Sequence, residues 1–99
     1  MEVTTDELAA TPNAYVLDVR RHEEWLEKRL PGVTLIPMDQ INERADEIPS
    51  DQRIYVICAV GGRSARVAEA LRNAGYDAVN VAGGTNKWVE EGRPFESGE

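Results

Sequence analysis

Short apolar stretches alternate with helical segments along most of this chain, and this alternation is the feature that most restricts its fold. Each apolar stretch is four or five residues long and contains valine or isoleucine, which favour strands. Runs of this length are typical of strands that a parallel sheet buries on both faces. The predicted strands cover residues 15–19, 33–36, 53–57 and 78–82.

The segments between these strands carry helical signals. Thr4 and Glu7 have the spacing of a capping box, which predicts a short helix over residues 6–10. In residues 64–74 the apolar side chains recur at helical spacing, and Gly75 follows at the expected end. Further helices are predicted over residues 20–29, 39–48 and 85–91. The sequence therefore predicts an α/β fold with three layers, in which helices cover both faces of a central, mainly parallel sheet.

Length and composition restrict the domain organisation and the partners. The 99 residues are enough for one domain over 1–99, with the last few, from Glu96, expected to fray. Eleven Lys and Arg against 18 Asp and Glu give a net charge of −7, the wrong sign for binding nucleic acid or an anionic membrane surface. No apolar run approaches the roughly 20 residues of a membrane helix, and the first residues lack the features of a signal peptide, so we expect a cytoplasmic protein.

The only cysteine, Cys58, lies where a strand gives way to a helix. A single cysteine excludes an internal disulfide, and with His22 as the only histidine the chain has no Cys and His cluster for zinc. Gly61 and Gly62 let the backbone curl so that N–H groups converge on the thiol, and the helix that follows adds its dipole. We predict that Cys58 is partly thiolate, rather than a buried hydrophobic residue.

The polar residues near this loop have more than one interpretation. Arg63 adds a positive charge to the loop, or forms a salt bridge to a carboxylate such as Asp18. Ser64 is interpreted as the N-cap of the helix rather than as a nucleophile. Asp18 lies near the carboxyl end of a strand, where α/β sheets form ligand sites, but a structural role is favoured over catalysis. We expect His22 to be a surface residue and Trp25 to pack against the sheet.

A thiolate in a loop of convergent N–H groups suits two reactions. In one, the thiolate attacks the phosphorus of a phosphomonoester while the loop binds the phosphate oxygens. In the other, the thiolate attacks an outer sulfur atom, keeps it as a persulfide and passes it to a second nucleophile. The residue types and the local pattern leave both reactions open.

The loop Cys58–Ser64 resembles the active-site loop of single-domain rhodanese-like sulfurtransferases. Three further segments are similar to that family: Leu17–Arg20 with Glu24 and Trp25, Leu35–Pro37, and Asn80–Gly84 with Trp88. The resemblance implies a sheet of about five strands in the order 1-5-4-2-3. It also implies that Cys58 is catalytic and carries a persulfide. The implied active-site loop consists of Ala59, Val60, Gly61, Gly62, Arg63 and Ser64, with Asp18 and Arg20 in support.

Loop length separates the two reactions within this resemblance. Related phosphatases and arsenate reductases use a Cys-x5-Arg loop, whereas four residues separate Cys58 from Arg63 here. We expect the shorter loop to be too tight for phosphate. Sulfur transfer from thiosulfate or a persulfide to cyanide or a thiol is therefore favoured. The alternatives are a sulfur carrier, sensor or docking module without turnover and, less favoured, a phosphatase or arsenate reductase.

The chain departs from the family pattern at two points. Residues 28–33 lack the histidine that family members usually carry in a Gly-His-Ile-Pro-Gly-Ala stretch. In the loop, Ala59 and Val60 stand where relatives that use thiosulfate often have basic or polar side chains, which leaves Arg63 as the only cation. Thiosulfate, a dianion, is therefore expected to be a poorer donor than a protein or low-molecular-weight persulfide. Neither a metal nor an organic cofactor is implied.

Overall fold

The computed structural model describes residues 1–99 as a five-stranded sheet with helices on both sides. The strands are β1 (Glu2–Val3), β2 (Tyr15–Asp18), β3 (Thr34–Leu35), β4 (Ile54–Ile57) and β5 (Ala78–Val81). The α-helices are α1 (Thr5–Ala9), α2 (His22–Glu27), α3 (Gly62–Asn73) and α4 (Gly84–Glu90). Two short 3-10 helices, Met38–Gln40 and Ala45–Glu47, lie between β3 and β4. None of the helices has the length and apolar character needed to cross a membrane.

All neighbouring strands pair in parallel, in the order β1-β5-β4-β2-β3, which confirms the predicted fold class and strand order. The central strand is β4, and its Val56 is in register with Leu17 of β2 and Asn80 of β5. At the carboxyl edge of the sheet, Asp18 is in register with Ile57. The residues that follow β2 and β4 therefore meet at one edge, where ligand sites form in such sheets.

Side chains alternate between two cores, one on each face of the sheet. Leu17 and Val56 pack on one face with Val67 of α3. Ile57 packs on the other face, in a core that includes residues of α1 and α4. The three predicted layers are therefore present. Cys58, one residue after Ile57, belongs to the core on the α3 side.

The segment between β3 and β4 differs from the prediction. A continuous helix over residues 39–48 is wrong, because the segment forms two separate 3-10 helices instead. Ile48 is extended, with φ −90° and ψ 123°, as expected for a residue that precedes a proline, here Pro49. Ile41 and Ile48 are nevertheless buried in the core on the α3 side.

The C-terminal residues, for which the sequence predicts fraying, contact α2 and the segment after it: Gly98 N–H donates to the Leu26 carbonyl at 2.7 Å. Arg29 and Glu96 form an antiparallel bridge, and the Arg29 guanidinium donates to the Gly98 carbonyl at 2.8 Å. The same guanidinium lies 3.6 Å from the ring centroid of Trp25. Trp25 also stacks on the exposed His22, whose ring centroid is 5.6 Å away, and it belongs to neither of the two cores on the sheet. Arg29 also stands where the family pattern has its histidine.

Candidate active site

Cys58 lies in the loop that connects β4 to α3, and its side chain is only 1 % exposed. Gly61 has a φ of +113°, which residues with a side chain rarely adopt, and it forms the N-cap of α3. This turn brings the chain back over the thiol and directs the N-terminus of α3 toward it. Val60 is on the outer side of the loop and is 66 % exposed. The structure thus places the thiol on the floor of a short loop with an uncharged outer surface.

The sulfur of Cys58 has hydrogen-bond donors from its own loop. Gly61 N–H donates to Sγ at 3.1 Å, and the Ser64 hydroxyl lies 3.2 Å from Sγ. Ser64 is buried in the first turn of α3, so its prediction as the N-cap is wrong. Burial raises the pKa of the Cys58 thiol, whereas the Ser64 hydroxyl and the N–H groups of Ser64, Gly61 and Val60 lower it. The net effect is a pKa below the ordinary thiol value, the direction expected from the sequence.

The carbonyl groups at the start of the loop are bound by α4. Thr85 N–H donates to the Cys58 carbonyl at 2.9 Å, and Asn86 N–H donates to the Ala59 carbonyl at 3.0 Å. Gly84, with a φ of +62°, lies so close to these carbonyls that a Cβ atom there would be 2.6 Å from the oxygen of Ala59. Since α4 holds the carbonyls, the N–H groups that follow remain free to face the sulfur.

Arg63, the only cation of the loop, is paired with Glu24 of α2. Its two terminal nitrogens donate to the two carboxylate oxygens at 2.8 and 2.9 Å, a bidentate geometry. The prediction that Arg63 forms a salt bridge to a carboxylate is confirmed, but the carboxylate is that of Glu24 and not of Asp18, the example named from the sequence. The Glu24 carboxylate, through these bonds, raises the pKa of Arg63 above its ordinary value. The loop therefore has no uncompensated positive side chain.

Asp18 and Arg20 form a buried ion pair behind the loop, with 0 % and 3 % of each residue exposed. Arg20 donates to the two carboxylate oxygens of Asp18 at 3.0 and 2.8 Å. It also donates to the carbonyl of Lys28 at 2.7 Å and that of Glu24 at 3.3 Å. Neither residue bonds to the Cys58 sulfur. Arg20 instead holds α2, the helix that carries Glu24, and Asp18 holds Arg20 in place.

The Glu24 carboxylate makes the stability of the protein depend on pH. The bonds from Arg63 lower the pKa of Glu24 to about 2, against about 4.3 for a free glutamate. Because the folded pKa is depressed, the ion pair stabilises the fold fully above the unfolded pKa and is lost as the pH falls toward about 2. We expect a contribution of about 1 kcal/mol, since the pair is partly exposed. Urea unfolding should therefore show Glu24→Gln less stable than the native protein at pH 6 and equal to it near pH 2; a gap that persists in acid would contradict this.

A groove of about 250 Å³ opens beside Arg63. It is lined by Val19, Arg21, Pro37, Met38, Asp39 and Arg63. A larger cavity of about 320 Å³ is lined by residues of α1 and α4 and by residues that precede β2 and β3. That cavity lies toward the amino ends of the strands, away from Cys58. Only the smaller groove adjoins the loop.

From the predicted loop 58–64, the structure places Gly61 N–H and the Ser64 hydroxyl at hydrogen-bond distance from the Cys58 sulfur. It adds two residues to which the sequence assigns no role. Glu24 neutralises Arg63, and Asn80 accepts a hydrogen bond from the Ser64 hydroxyl at 2.5 Å. Both residues lie in segments that resemble the family, so the sequence contained a signal for them. It did not indicate what they contact, because both contacts join distant elements of the fold.

Comparison with known proteins identifies the family of the chain. The family model described as the rhodanese-like domain matches residues 4–91 of the chain. The chain belongs to the rhodanese-like domain family. A rhodanese-related protein from Thermoplasma volcanium has the same fold, with a TM-score of 0.92, 34 % identity and coverage of 96 % of both chains.

Relatives of this rhodanese-like domain carry names from sulfur chemistry. A protein from Allochromatium vinosum named sulfurtransferase is 31 % identical, over 99 % of this chain and 92 % of its own length. A Bacillus subtilis protein, provisionally named sulfur carrier protein YrkF, is 37 % identical over 75 % of this chain, which spans 40 % of that protein's length. The family is therefore one of sulfurtransferases and sulfur carriers.

Proposed function

We propose that this rhodanese-like domain is a sulfurtransferase that takes up sulfane sulfur on Cys58 and passes it to a thiol. The observation that carries the proposal is the environment of the sulfur: N–H and hydroxyl donors from Gly61 and Ser64 surround the only thiol of the chain. These donors favour a thiolate, which is the nucleophilic form of cysteine. The short spacing to Arg63 favours sulfur over the bulkier phosphate.

The proposed reaction has two displacements at sulfur. In the first, the Cys58 thiolate attacks the outer sulfur of a persulfide, R–S–SH, and the bond between the two donor sulfurs breaks as RS⁻ leaves. The resulting Cys58 persulfide is bound by the N–H groups of the loop. In the second, an acceptor thiolate, or cyanide in an assay, attacks the outer sulfur, and Cys58 leaves as the thiolate. This cycle needs Cys58 as a free thiol, which a reducing compartment such as the cytoplasm maintains.

We further propose that the physiological donor is a protein or low-molecular-weight persulfide rather than thiosulfate. Thiosulfate carries two negative charges, and the one cation of the loop, Arg63, is already neutralised by Glu24. The groove beside Arg63 has apolar walls at Val19, Pro37 and Met38 that suit the organic part of a donor. Both features favour an organic donor of low charge.

The proposal is tested by intact mass spectrometry of the native protein after incubation with an organic persulfide, and in parallel with thiosulfate. We expect a gain of one sulfur atom, which cyanide or a thiol then removes. Measuring how many sulfur atoms each Cys58 transfers with excess donor and acceptor distinguishes an enzyme from a carrier. A protein that gains sulfur from no donor would contradict the proposal.

Glu24→Gln is expected to change the choice of donor. The substitution leaves the positive charge of Arg63 uncompensated, so the rate of sulfur uptake from thiosulfate should rise by about tenfold relative to uptake from the organic persulfide. Glu27→Gln is the matched control, because it makes the same charge change at an exposed residue of the same helix, whereas the ion pair of Arg63 is with Glu24. An equal shift in donor preference in both variants would show that net charge, and not the Glu24–Arg63 pair, sets it.

A further inference from the structure

The Ser64 hydroxyl lies between two acceptors. Its oxygen is 3.2 Å from the Cys58 sulfur and 2.5 Å from Oδ1 of Asn80, and the Ser64 and Asn80 residues are 0 % and 3 % exposed. A hydroxyl has one proton, so it can donate to only one of these atoms at a time. The shorter distance is to Asn80. Asn80 and the thiolate therefore compete for the same proton.

Glu2 of the edge strand fixes the orientation of the Asn80 amide. The Asn80 amide nitrogen donates to the Glu2 carboxylate at 3.2 Å, across the β1–β5 register in which these two residues are paired. A rotated amide would place its carbonyl oxygen against that carboxylate and lose the hydrogen bond. The carbonyl oxygen therefore faces Ser64, where it acts as an acceptor.

The hydrogen bonds that Ser64 and Asn80 can form differ between the thiol, thiolate and persulfide states of Cys58. In the thiol state, S–H donates to the Ser64 oxygen while the Ser64 proton goes to Asn80, and every group is satisfied. In the thiolate state, the sulfur needs the Ser64 proton, and donating it leaves the buried Asn80 oxygen without a partner, which is unfavourable. In the persulfide state, the charge lies on the outer sulfur, so Sγ is neutral and the Ser64 proton can return to Asn80.

We propose that Asn80 is a positioning residue that acts through Ser64 to favour the persulfide of Cys58 over the bare thiolate. This inference rests on the proposed sulfur transfer. The loading step it affects is Cys58–S⁻ + R–S–SH → Cys58–S–SH + RS⁻, followed by transfer of the persulfide proton to RS⁻. One sulfur–sulfur bond forms and one breaks, the electron pair leaves with RS⁻, and no oxidant is needed. Asn80 raises the free energy of the reactant thiolate and leaves that of the product unchanged.

The variants used in the test must leave the other charged groups near the Cys58 thiol and their ion pairs unchanged. Arg63 of α3 is paired with Glu24 of α2, and Asp18 of β2 is paired with Arg20. The remaining charged group is Glu2 of β1, which accepts a hydrogen bond from the Asn80 side chain. The first variant, Asn80→Leu, is close in size to the native residue, removes the acceptor and alters none of these charges.

The test measures the rate of alkylation of Cys58 by iodoacetamide as a function of pH, which follows the thiol without any sulfur transfer. For Asn80→Leu we expect the pKa of Cys58 to fall by about one unit, because the Ser64 proton is then available to the thiolate alone. In a Ser64→Ala background, Asn80→Leu should leave the pKa unchanged, whereas a purely structural effect would persist. No fall in pKa in the single variant, or the same fall in both backgrounds, overturns the inference.

Two substitutions at the exposed Glu2 test the same inference without disturbing the core. Glu2→Gln and Glu2→Ala remove the same charge, but only glutamine can still accept a hydrogen bond from the Asn80 amide and hold its orientation. We expect a lower pKa of Cys58 in Glu2→Ala than in Glu2→Gln, and equal values would count against the inference. In buffers of organic persulfide and thiol, at a pH above the pKa of Cys58 in both proteins, Asn80→Leu should carry about tenfold less persulfide per unloaded Cys58 at equilibrium. A chain that takes up no sulfur while the alkylation results stand would reject the proposed function alone, and loading without the pKa effects would reject the role of Asn80 alone.

Discussion

Cys58→Ser is expected to take up no sulfur from any donor. The serine hydroxyl is not ionised near neutral pH, so it cannot replace the thiolate as a nucleophile without a base to activate it. The chain has no second cysteine that could hold the sulfur. Intact mass spectrometry after incubation with an organic persulfide should therefore show the unmodified mass for the variant and a gain of one sulfur for the native protein.

The variant should remain folded, which makes the loss of sulfur uptake interpretable. A hydroxyl at position 58 can accept the hydrogen bond that Gly61 N–H gives to the sulfur, so the loop loses little. We expect the unfolding temperature to change by no more than about 8 °C, which corresponds to about 1 kcal/mol in a domain of this size. Uptake of sulfur by folded Cys58→Ser would place the acceptor atom elsewhere in the chain.

Gly84→Ala should strongly destabilise the fold. A Cβ atom there would collide with the carbonyl groups of Cys58 and Ala59, whose positions are fixed by α4. The positive φ of +62° adds a second penalty. Together the left-handed conformation, about 1 to 2 kcal/mol, and the overpacking, about 1 to 3 kcal/mol, should lower the unfolding temperature by more than 10 °C on the order-of-magnitude scale for small domains.

Gly92→Ala is the matched control for the backbone penalty. Gly92 has a φ of +78°, but a Cβ atom there would have no neighbour within 4 Å. The difference between the two variants therefore measures the collision with the loop. Any Gly84→Ala protein that remains folded should take up sulfur roughly ten- to a hundredfold more slowly, since small displacements of a reacting group have effects of this size. Equal unfolding temperatures for the two variants would contradict the proposed contact.

The sequence predicted the elements whose patterns are local and strong. The strands at Tyr15–Asp18, Ile54–Ile57 and Ala78–Val81 are apolar runs between clear turn signals, and α3 has both helical spacing and a terminal glycine. The strand β1 was missed, because two residues are too few to show any alternation. The segment 39–48 had helical spacing, but the spacing does not distinguish a continuous helix from two short turns that bury the same isoleucines.

Contacts between distant residues were the hardest part of the site to predict. The pattern around Cys58 indicated the thiol, the glycines and the cation, and the structure brings these together. It could not indicate that Arg63 pairs with Glu24, because Asp18 was an equally reasonable partner until its own pairing with Arg20 was seen. The N-cap prediction for Ser64 failed for a local reason, because α3 begins two residues earlier, at Gly62. The contact of Ser64 with Asn80 was not predicted, because it joins α3 to the distant strand β5.

The hydrogen bonds from α4 divide the active-site loop into an anchored part and a free part. Cys58 and Ala59 are anchored through their carbonyl groups, whereas Val60 is exposed and Gly62 has open space around it. A residue inserted directly after Cys58 would displace Ala59 from its hydrogen bond with Asn86. The same insertion after Val60 would produce the Cys-x5-Arg spacing while the anchors stay in place. This position is therefore the point from which the scaffold could be engineered to admit a tetrahedral oxyanion.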